Sequence, residues 1–317
     1  MTYAQFGTVQ ATDFNTLVGG NPTTTANTLN ATWATGGGSA GYGQTAVANV
    51  AAGQSVAATS QWASLVTSTA SAASHQGSSI TSVSTPVAGG TITFVSAIPT
   101  NLQTIYSNRL NAATQGSTSS NTVTTATTWS DRATWTHTAT FANGDAARYF
   151  FNSGGQLKVT MSHPSGTGIN LLLNNLASNV GTVVMSAPSS GAITVVGTSY
   201  NGITRVGGGG NSPTISQNSG YYAMTTSNAN VYYQTASTGP SGYLGTNVNI
   251  FIKSNGTQGS NGDAGSVITI YTVWDEIPNG LVVSSGSAVT VTAQAPETTN
   301  LANAWGTITL AGSVSVI

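Results

Sequence analysis

The sequence predicts a mainly β protein: an antiparallel β-sandwich preceded by a small mixed region with short helices. From about residue 122 onward, short segments alternate apolar and polar residues and are separated by Gly and Asn, the pattern of strands joined by tight turns. Before that point, apolar residues recur at helical spacing in short segments. We therefore divide the chain into an N-terminal docking region with short helices and loops, residues 1–116, and a β-sandwich domain, residues 117–317.

Three helices are predicted in the N-terminal region. The first starts after Thr12 and stops at Gly19, the second covers residues 60–75 and stops at Gly77, and the third covers residues 102–113. The first two carry apolar residues at i, i+3 and i+4, namely Phe14, Leu17, Val18, Trp62, Leu65 and Val66. These six residues either pack in the core of the region or form a face that docks onto a partner subunit, and the sequence leaves both alternatives open.

The sandwich domain is predicted from a series of short strands and one helix. The helix covers residues 169–176. The turn at residues 152–155, with the sequence NSGG, predicts a hairpin between the two strands that flank it. The predicted strands are residues 135–141, 147–151, 156–162, 182–185, 192–196, 221–225, 230–234, 247–253, 266–274, 289–292 and 307–317.

The composition indicates a protein that works in contact with neighbours. Only 4% of the residues are charged and the net charge is -1, whereas ordinary domains contain about 25% charged residues. A surface of Thr, Ser, Asn and Gln loses less side-chain entropy on contact than one of Lys and Glu, and it repels its copies weakly. We expect a homo-oligomer, with trimers and hexamers as suitable states; the alternative is a secreted polar β-protein without partners.

Several classes of protein are disfavoured by the same composition. Six Lys and Arg against seven Asp and Glu supply no basic face for nucleic acid. The chain has no Cys, which removes disulfides and thiolate metal sites. The first residues, MTYAQF, do not resemble a secretory signal, and no stretch approaches 18 apolar residues, so we expect neither export by the usual route nor a membrane span.

No catalytic constellation is apparent. The three histidines, His75, His137 and His163, have no metal-ligand spacing. A glycosidase needs two carboxylates close together, whereas the neighbouring Asp275 and Glu276 point to opposite faces of a strand. We therefore expect a protein that is not an enzyme and holds no cofactor or metal, with a polysaccharide depolymerase as the enzymatic alternative.

Arg148 is the basic residue whose surroundings suggest a structural role. It lies between apolar neighbours, on the segment predicted as a strand over residues 147–151. A buried Arg needs a carboxylate or several carbonyl oxygens as partners. Asp145 and Asp131 are the candidate partners, so a structural ion pair is predicted among these three residues.

One segment carries a specific resemblance. Residues 140–157, TFANGDAARYFFNSGGQL, resemble a signature of virion structural proteins of tailed bacteriophages, described as tail, neck or collar, or fibre proteins. The order of other parts is also similar. These parts are Gly41–Gln44, Gln61-Trp62, His75-Gln76, the Leu-rich helix of Leu171, Leu172, Leu173 and Leu176, and Gly306–Thr309.

The resemblance implies a structural role in a virion, with other virion proteins as partners and no catalytic motif. A virion is assembled in the host cytoplasm and released by lysis, which reconciles an extracellular type of composition with the expected lack of an export signal. The position in the particle stays open. The alternative within this class is a receptor-binding adhesin that recognises a host-surface glycan. Its sugar-stacking residues would be exposed tyrosines such as Tyr221, Tyr222, Tyr232 and Tyr233; the other interpretation of these pairs is that one ring lies in the core and one on the sheet surface.

Overall fold

The computed structural model describes residues 10–21, 26–87, 96–239, 241–277 and 280–317. In these residues the protein is mainly β, with antiparallel sheets preceded by short helices, as predicted. The helices are α1 (Ala11–Val18), α2 (Leu29–Thr32), α3 (Ala63–Gln76), α4 (Ala97–Ser107), α5 (Gly144–Asn152) and α6 (Ile169–Val180). The strands are β1 (Gln115–Thr124), β2 (Arg132–Thr140), β3 (Gln156–Ser162), β4 (Thr182–Met185), β5 (Ile193–Val195), β6 (Thr198–Tyr200), β7 (Ile203–Val206), β8 (Thr214–Ile215), β9 (Ala229–Thr235), β10 (Asn247–Ser254), β11 (Val267–Asp275), β12 (Ala288–Pro296) and β13 (Thr309–Val316).

Two sheets form the sandwich. One has the strand order β1-β12-β3-β4-β7 and the other the order β13-β2-β11-β10-β9-β8, and every pairing in them is antiparallel. Side chains of alternate residues on β2 and β11 point into the space between the sheets. There Trp135 and Trp274 pack with ring centroids 5.3 Å apart, and the Trp135 indole donates to the Val123 carbonyl of the facing sheet at 3.0 Å.

The N-terminal helices follow the predicted pattern except at the start of the first helix and over the third. The first helix was predicted to start after Thr12, but α1 begins at Ala11 with Gln10 as its N-cap, because Gln10 and Asp13 form a capping box. α1 ends at Gly19 and α3 ends at Gly77, whose φ of 69° is the left-handed conformation that glycine adopts at helix ends. A π-helical turn, Ala58–Trp62, leads into α3. The third helix was predicted over residues 102–113 but is α4, which ends at Ser107. The chain leaves the helix there because the backbone N–H groups of Ala112 and Ala113 donate to the carbonyl oxygens of Thr194 and His75.

The six residues of the candidate docking face lie inside the chain. Five of them are buried, and Val66 is half-buried against the same core. Phe14 of α1 packs edge-to-face on Trp62 with ring centroids 5.2 Å apart. The apolar faces of α1 and α3 therefore hold the N-terminal helices together, which is the first of the two alternatives that the sequence left open. The core to which they belong runs without a break into the sandwich, across the predicted boundary at residue 116.

Two predicted strands are helical. Residues 147–151 belong to α5, so the hairpin expected at residues 152–155 does not form, and residues 221–223 form a 3-10 turn instead of a strand. The helix signal is present in the sequence: Asn143 caps α5 by accepting the Ala146 N–H at 2.8 Å. Ala147, Phe150 and Phe151, at i, i+3 and i+4, then form its buried face.

Candidate functional site

Arg148 lies at the centre of residues 140–157. Its side chain is fully buried on α5. The guanidinium donates to Asp145 Oδ1 at 3.1 and 3.2 Å, one turn earlier on the helix. It also donates to the carbonyl oxygens of Ala40 and Thr35, both at 2.8 Å, and of Gly38 at 3.3 Å. Arg148 therefore fastens the glycine-rich loop of the N-terminal region onto the sandwich.

Of the two candidate partners, the structure brings only Asp145 to Arg148. Asp131 lies at the start of β2, where it adopts a left-handed φ of 29° and its carbonyl accepts the Glu276 N–H at 2.8 Å. Asp145 also accepts the Gly262 N–H at 3.2 Å. The ion pair predicted from the sequence is thus Arg148–Asp145, and it links α5 to two loops that are distant in sequence.

The rest of α5 extends the same junction. Asn152 donates to the Gly41 carbonyl at 3.0 Å, and the Tyr222 hydroxyl lies 2.5 Å from Asn152 Oδ1 and 2.9 Å from the Gly38 carbonyl. Burial raises the pKa of Tyr222, so the phenol stays protonated. Gly144 packs so closely that an added Cβ would lie 2.0 Å from the Asp263 carbonyl oxygen. Residues 143–152 therefore form a structural junction that joins the loop at residues 35–44, the 3-10 turn and the loop at residues 255–265.

A second buried junction joins α3 to the chain after β12. His75 Nδ1 lies 2.9 Å from Glu297 Oε1, and both side chains are buried. Burial alone would raise the pKa of Glu297, but hydrogen bonds from His75, Asn300 and Thr299 outweigh it and lower the pKa to about 2. The carboxylate therefore stays ionised at neutral pH and fixes the end of α3.

Gln44 makes a third link from the N-terminal region to the C-terminal part of the chain. Its amide nitrogen donates to the Ala302 carbonyl at 2.9 Å, and its amide oxygen accepts the Ala302 N–H at 2.7 Å. Next to it, Gln76 donates to the buried Tyr42 hydroxyl at 2.7 Å. Residues 41–44 and 75–76 thus take part in the contacts between the N-terminal region and the chain after β12. Sequence reasoning missed the His75–Glu297 and Gln44–Ala302 links because their members are 222 and 258 residues apart.

The carboxylates of the described residues are dispersed and engaged in local structure. Asp275 pairs with the exposed Arg132, and Glu276 accepts the N–H groups of Gly280 and Leu281. Burial raises the pKa of the Glu276 carboxyl despite these hydrogen bonds. Asp13 accepts the N–H of Gln10, the N-cap residue of α1, and Asp263 accepts the Ser260 N–H. Among the residues that the structure describes, no three His or acidic side chains come together in a way that would hold a metal ion.

The histidines other than His75 also have internal positions. His163 contacts the Ser287 hydroxyl at 2.8 Å and the Asn170 amide oxygen at 3.0 Å. His137 is buried between the sheets, and neither of its ring nitrogens has a hydrogen-bond partner among the described residues. Burial lowers the pKa of His137 and of His163, so both are held neutral.

One groove opens on the N-terminal region. It has a volume of about 420 Å³ and lies between the loop at residues 44–48 and the first turns of α3. Its lining combines the half-buried Trp33 with the side chains of Thr45, Ser60, Ser64 and Ser68, and it contains no charged residue. Of the four tyrosines considered for sugar stacking, Tyr221 and Tyr232 are fully buried and are therefore not available for it. Tyr222 is used in the α5 junction, and Tyr233 is 37% exposed.

Comparison with known proteins gave no match to a family model, to a curated protein sequence or to a solved structure. No helix among the described residues is long and apolar enough to span a membrane. Fold and site define a mainly β protein in which Arg148, Glu297 and Glu276 are buried in internal contacts.

Proposed function

We propose that the chain is a structural subunit of a bacteriophage virion, in the tail, the neck or collar, or a fibre, and that it acts by packing against its own copies and other virion proteins. The observation that carries this proposal is that most of the few charged groups bind within the chain. Arg148, Glu297 and Glu276 are buried in internal contacts, and Arg109 and Arg205 donate to backbone carbonyl oxygens. Apart from a few groups such as the exposed Arg132, the polar side chains of the surface are neutral hydroxyl and amide groups.

Such a surface supports permanent contacts. Short neutral side chains lose little entropy when covered, and few charges remain to repel a second copy. The junctions at Arg148 and Glu297 support the proposal too, because they join the N-terminal region and the sandwich into one unit, as a structural subunit requires. The resemblance of residues 140–157 to virion proteins of tailed bacteriophages is the reason why we propose a virion as the assembly.

The experiment has two parts. Sedimentation of the purified protein over a range of concentrations should show a discrete oligomer, and electron microscopy of phage particles labelled with an antibody against the chain should place it on the virion. A protein that stays monomeric at every concentration and is missing from purified particles would contradict the proposal.

The groove beside Trp33 favours a second candidate, an adhesin that binds a neutral host-surface glycan. An aromatic side chain among hydroxyl groups suits the apolar face and the hydroxyls of a sugar. Ser64 is exposed in the groove, so Ser64→Lys should block a bound glycan, whereas Ser74→Lys, exposed on the same helix outside the groove, should not. Binding to a glycan array that is equal for both variants, or absent for the wild-type protein, would exclude this site.

Absence of catalysis is part of the main proposal. Incubation with host polysaccharide and peptidoglycan is expected to give no cleavage products. Reproducible cleavage that a single substitution such as Glu276→Gln abolishes would replace the structural proposal with an enzymatic one.

A further inference from the structure

One lateral edge of the sandwich is long and uncharged. β1 spans ten residues, QGSTSSNTVT, without a charge or a proline, and pairs with β12 on one side only. Within the described ranges no strand pairs with its other side. At the opposite end of the sandwich the edge strands are short, with four residues in β7 and two in β8. Because an unpaired edge is a template for pairing with another chain, proteins usually shorten or charge such strands; β1 is neither short nor charged.

The register shows which backbone groups of β1 are free. In an antiparallel ladder, hydrogen-bonded and non-hydrogen-bonded pairs alternate. At the end of the ladder the Thr125 N–H donates to the Ser287 carbonyl at 2.9 Å, so Thr125 is a hydrogen-bonded residue. Its neighbour Thr124, opposite Ala288, is therefore a non-hydrogen-bonded residue, and so is every second residue before Thr124. These residues, whose N–H and C=O groups point away from β12, are Thr118, Ser120, Thr122 and Thr124.

The side-chain contacts agree with this assignment. The hydroxyl groups of Ser120 and Thr292 lie 2.7 Å apart across the ladder, and so do those of Thr122 and Thr290. Such short cross-strand contacts fit the closer spacing of non-hydrogen-bonded pairs. The side chains of the four outward-directed residues are all exposed.

β13 does not cover this edge. Its Gly312 lies beneath the inner face of β1, where an added Cβ would be 2.8 Å from both Asn121 Oδ1 and Val123 Cγ2. β13 is therefore stacked under β1 in the facing sheet instead of beside it, and the outer flank of β1 is open to another strand.

We propose that this edge pairs with the same edge of a second copy of the chain, antiparallel about a two-fold axis. The occupant is a second copy because the edge is self-complementary. Pairing centred on Asn121 sets Ser120 opposite Thr122 and Thr118 opposite Thr124, so every outward-directed residue of one copy meets one of the other. Both edges are neutral, so no charge opposes the approach. This inference rests on the proposed function and names the surface through which the subunit associates.

Ser120→Pro tests the proposal against Ser120→Ala as its matched control. Proline removes the outward N–H without removing a ladder bond to β12, and both variants lose the same hydroxyl. We expect Ser120→Pro to weaken self-association at least about tenfold in sedimentation, with Ser120→Ala close to the wild-type protein. Amide hydrogen exchange should show the four outward-directed N–H groups protected in the associated wild-type protein. In the Ser120→Pro monomer the three that remain, those of Thr118, Thr122 and Thr124, should be unprotected.

Thr122→Lys serves as a second variant if Ser120→Pro fails to fold. It places two like charges near the two-fold axis, so the protein should dissociate at low salt and reassociate at high salt. A Ser120→Pro protein that melts and associates like the wild-type protein would overturn the edge contact while leaving self-association intact. A wild-type chain that is monomeric at all concentrations, or that associates only with a different virion protein, would overturn the pairing of two copies as well.

Discussion

Arg148 and Glu297 are charged side chains enclosed by the fold, and each is held by several hydrogen bonds. A buried charge is tolerated only when its partners replace water, and removing a partner leaves an uncompensated group in a medium of low polarity. Asp145 and three carbonyl oxygens serve Arg148, whereas His75, Thr299 and Asn300 serve Glu297. The role of Arg148 can be tested by substitution, and the role of Glu297 by the pH dependence of stability.

Arg148→Ala should lower the free energy of unfolding by about 3–5 kcal/mol, because it leaves Asp145 and the carbonyl oxygens of the N-terminal loop without their donor. Arg148→Lys should also destabilise the protein, since an ammonium cannot reach the same acceptors as the planar guanidinium. Arg132→Ala is the control: that side chain is 54% exposed, and its ion pair with Asp275 should contribute about 1 kcal/mol or less. Urea unfolding of the three variants provides the measurement, and equal losses for Arg148→Ala and Arg132→Ala would contradict the account.

Acid should weaken the protein through Glu297. Its pKa in the folded protein is lowered to about 2 from an ordinary value of 4.5, so the carboxylate contributes stability that is fully present above pH 4.5. That contribution, about 3 kcal/mol, is lost as the pH falls from 4.5 towards 2. Glu297→Gln should therefore show a smaller loss of unfolding free energy over this interval than the wild-type protein. Parallel pH profiles for the two proteins would show that Glu297 does not have this role.

α5 connects three loops that are far apart in the chain. Its first turn carries Asp145, its middle carries Arg148 and its last residue is Asn152, so one face of a nine-residue helix reaches three loops. The buried residues Phe150 and Phe151 pack on Phe141 and Tyr221, which ties the helix to β2 and to the 3-10 turn. The position at which α5 begins therefore affects all of these contacts.

Asn143→Ala should destabilise the protein by about 1 kcal/mol, because the exposed Asn143 side chain caps α5 by accepting the Ala146 N–H. Asn143→Asp keeps an acceptor oxygen at the same place and adds a negative charge near the positive end of the helix, so its stability should match the wild-type protein. Thermal unfolding of both variants distinguishes them. A loss of equal size for both would mean that the amide nitrogen of Asn143, and not its oxygen, is needed.

At the scale of the whole molecule, the scarcity of charge determines how the protein responds to salt. Folding and self-association have to depend on apolar burial and neutral hydrogen bonds, because only 4% of the residues are charged. The core extends from α1 to β12 without interruption, so the N-terminal region and the sandwich are expected to unfold together.

The oligomer should stay intact from low salt to about 1 M salt. Salt screens exposed charges over a Debye length of about 10 Å at 0.1 M, and here few charges are available to be screened. Light scattering or sedimentation across this range is the measurement, and the Thr122→Lys variant, which adds a charge to the β1 edge, is a salt-sensitive comparison. Dissociation of the wild-type protein at moderate salt would show that a few ion pairs dominate the interface.

The sequence by itself determined the mainly β fold and most of the strands, since alternation of apolar and polar residues is a local property that burial on one sheet face requires. It also indicated that Arg148 needs an acidic partner. Whether the segment at residues 147–151 becomes strand or helix was open to misreading, because Asn143-Gly144-Asp145 suits both a turn and a helix cap. Only the tertiary structure decided the choice of Asp145 over Asp131, the pairing of His75 with Glu297 and the exposure of the β1 edge. These depend on contacts between residues far apart in the chain, for which local patterns contain no signal.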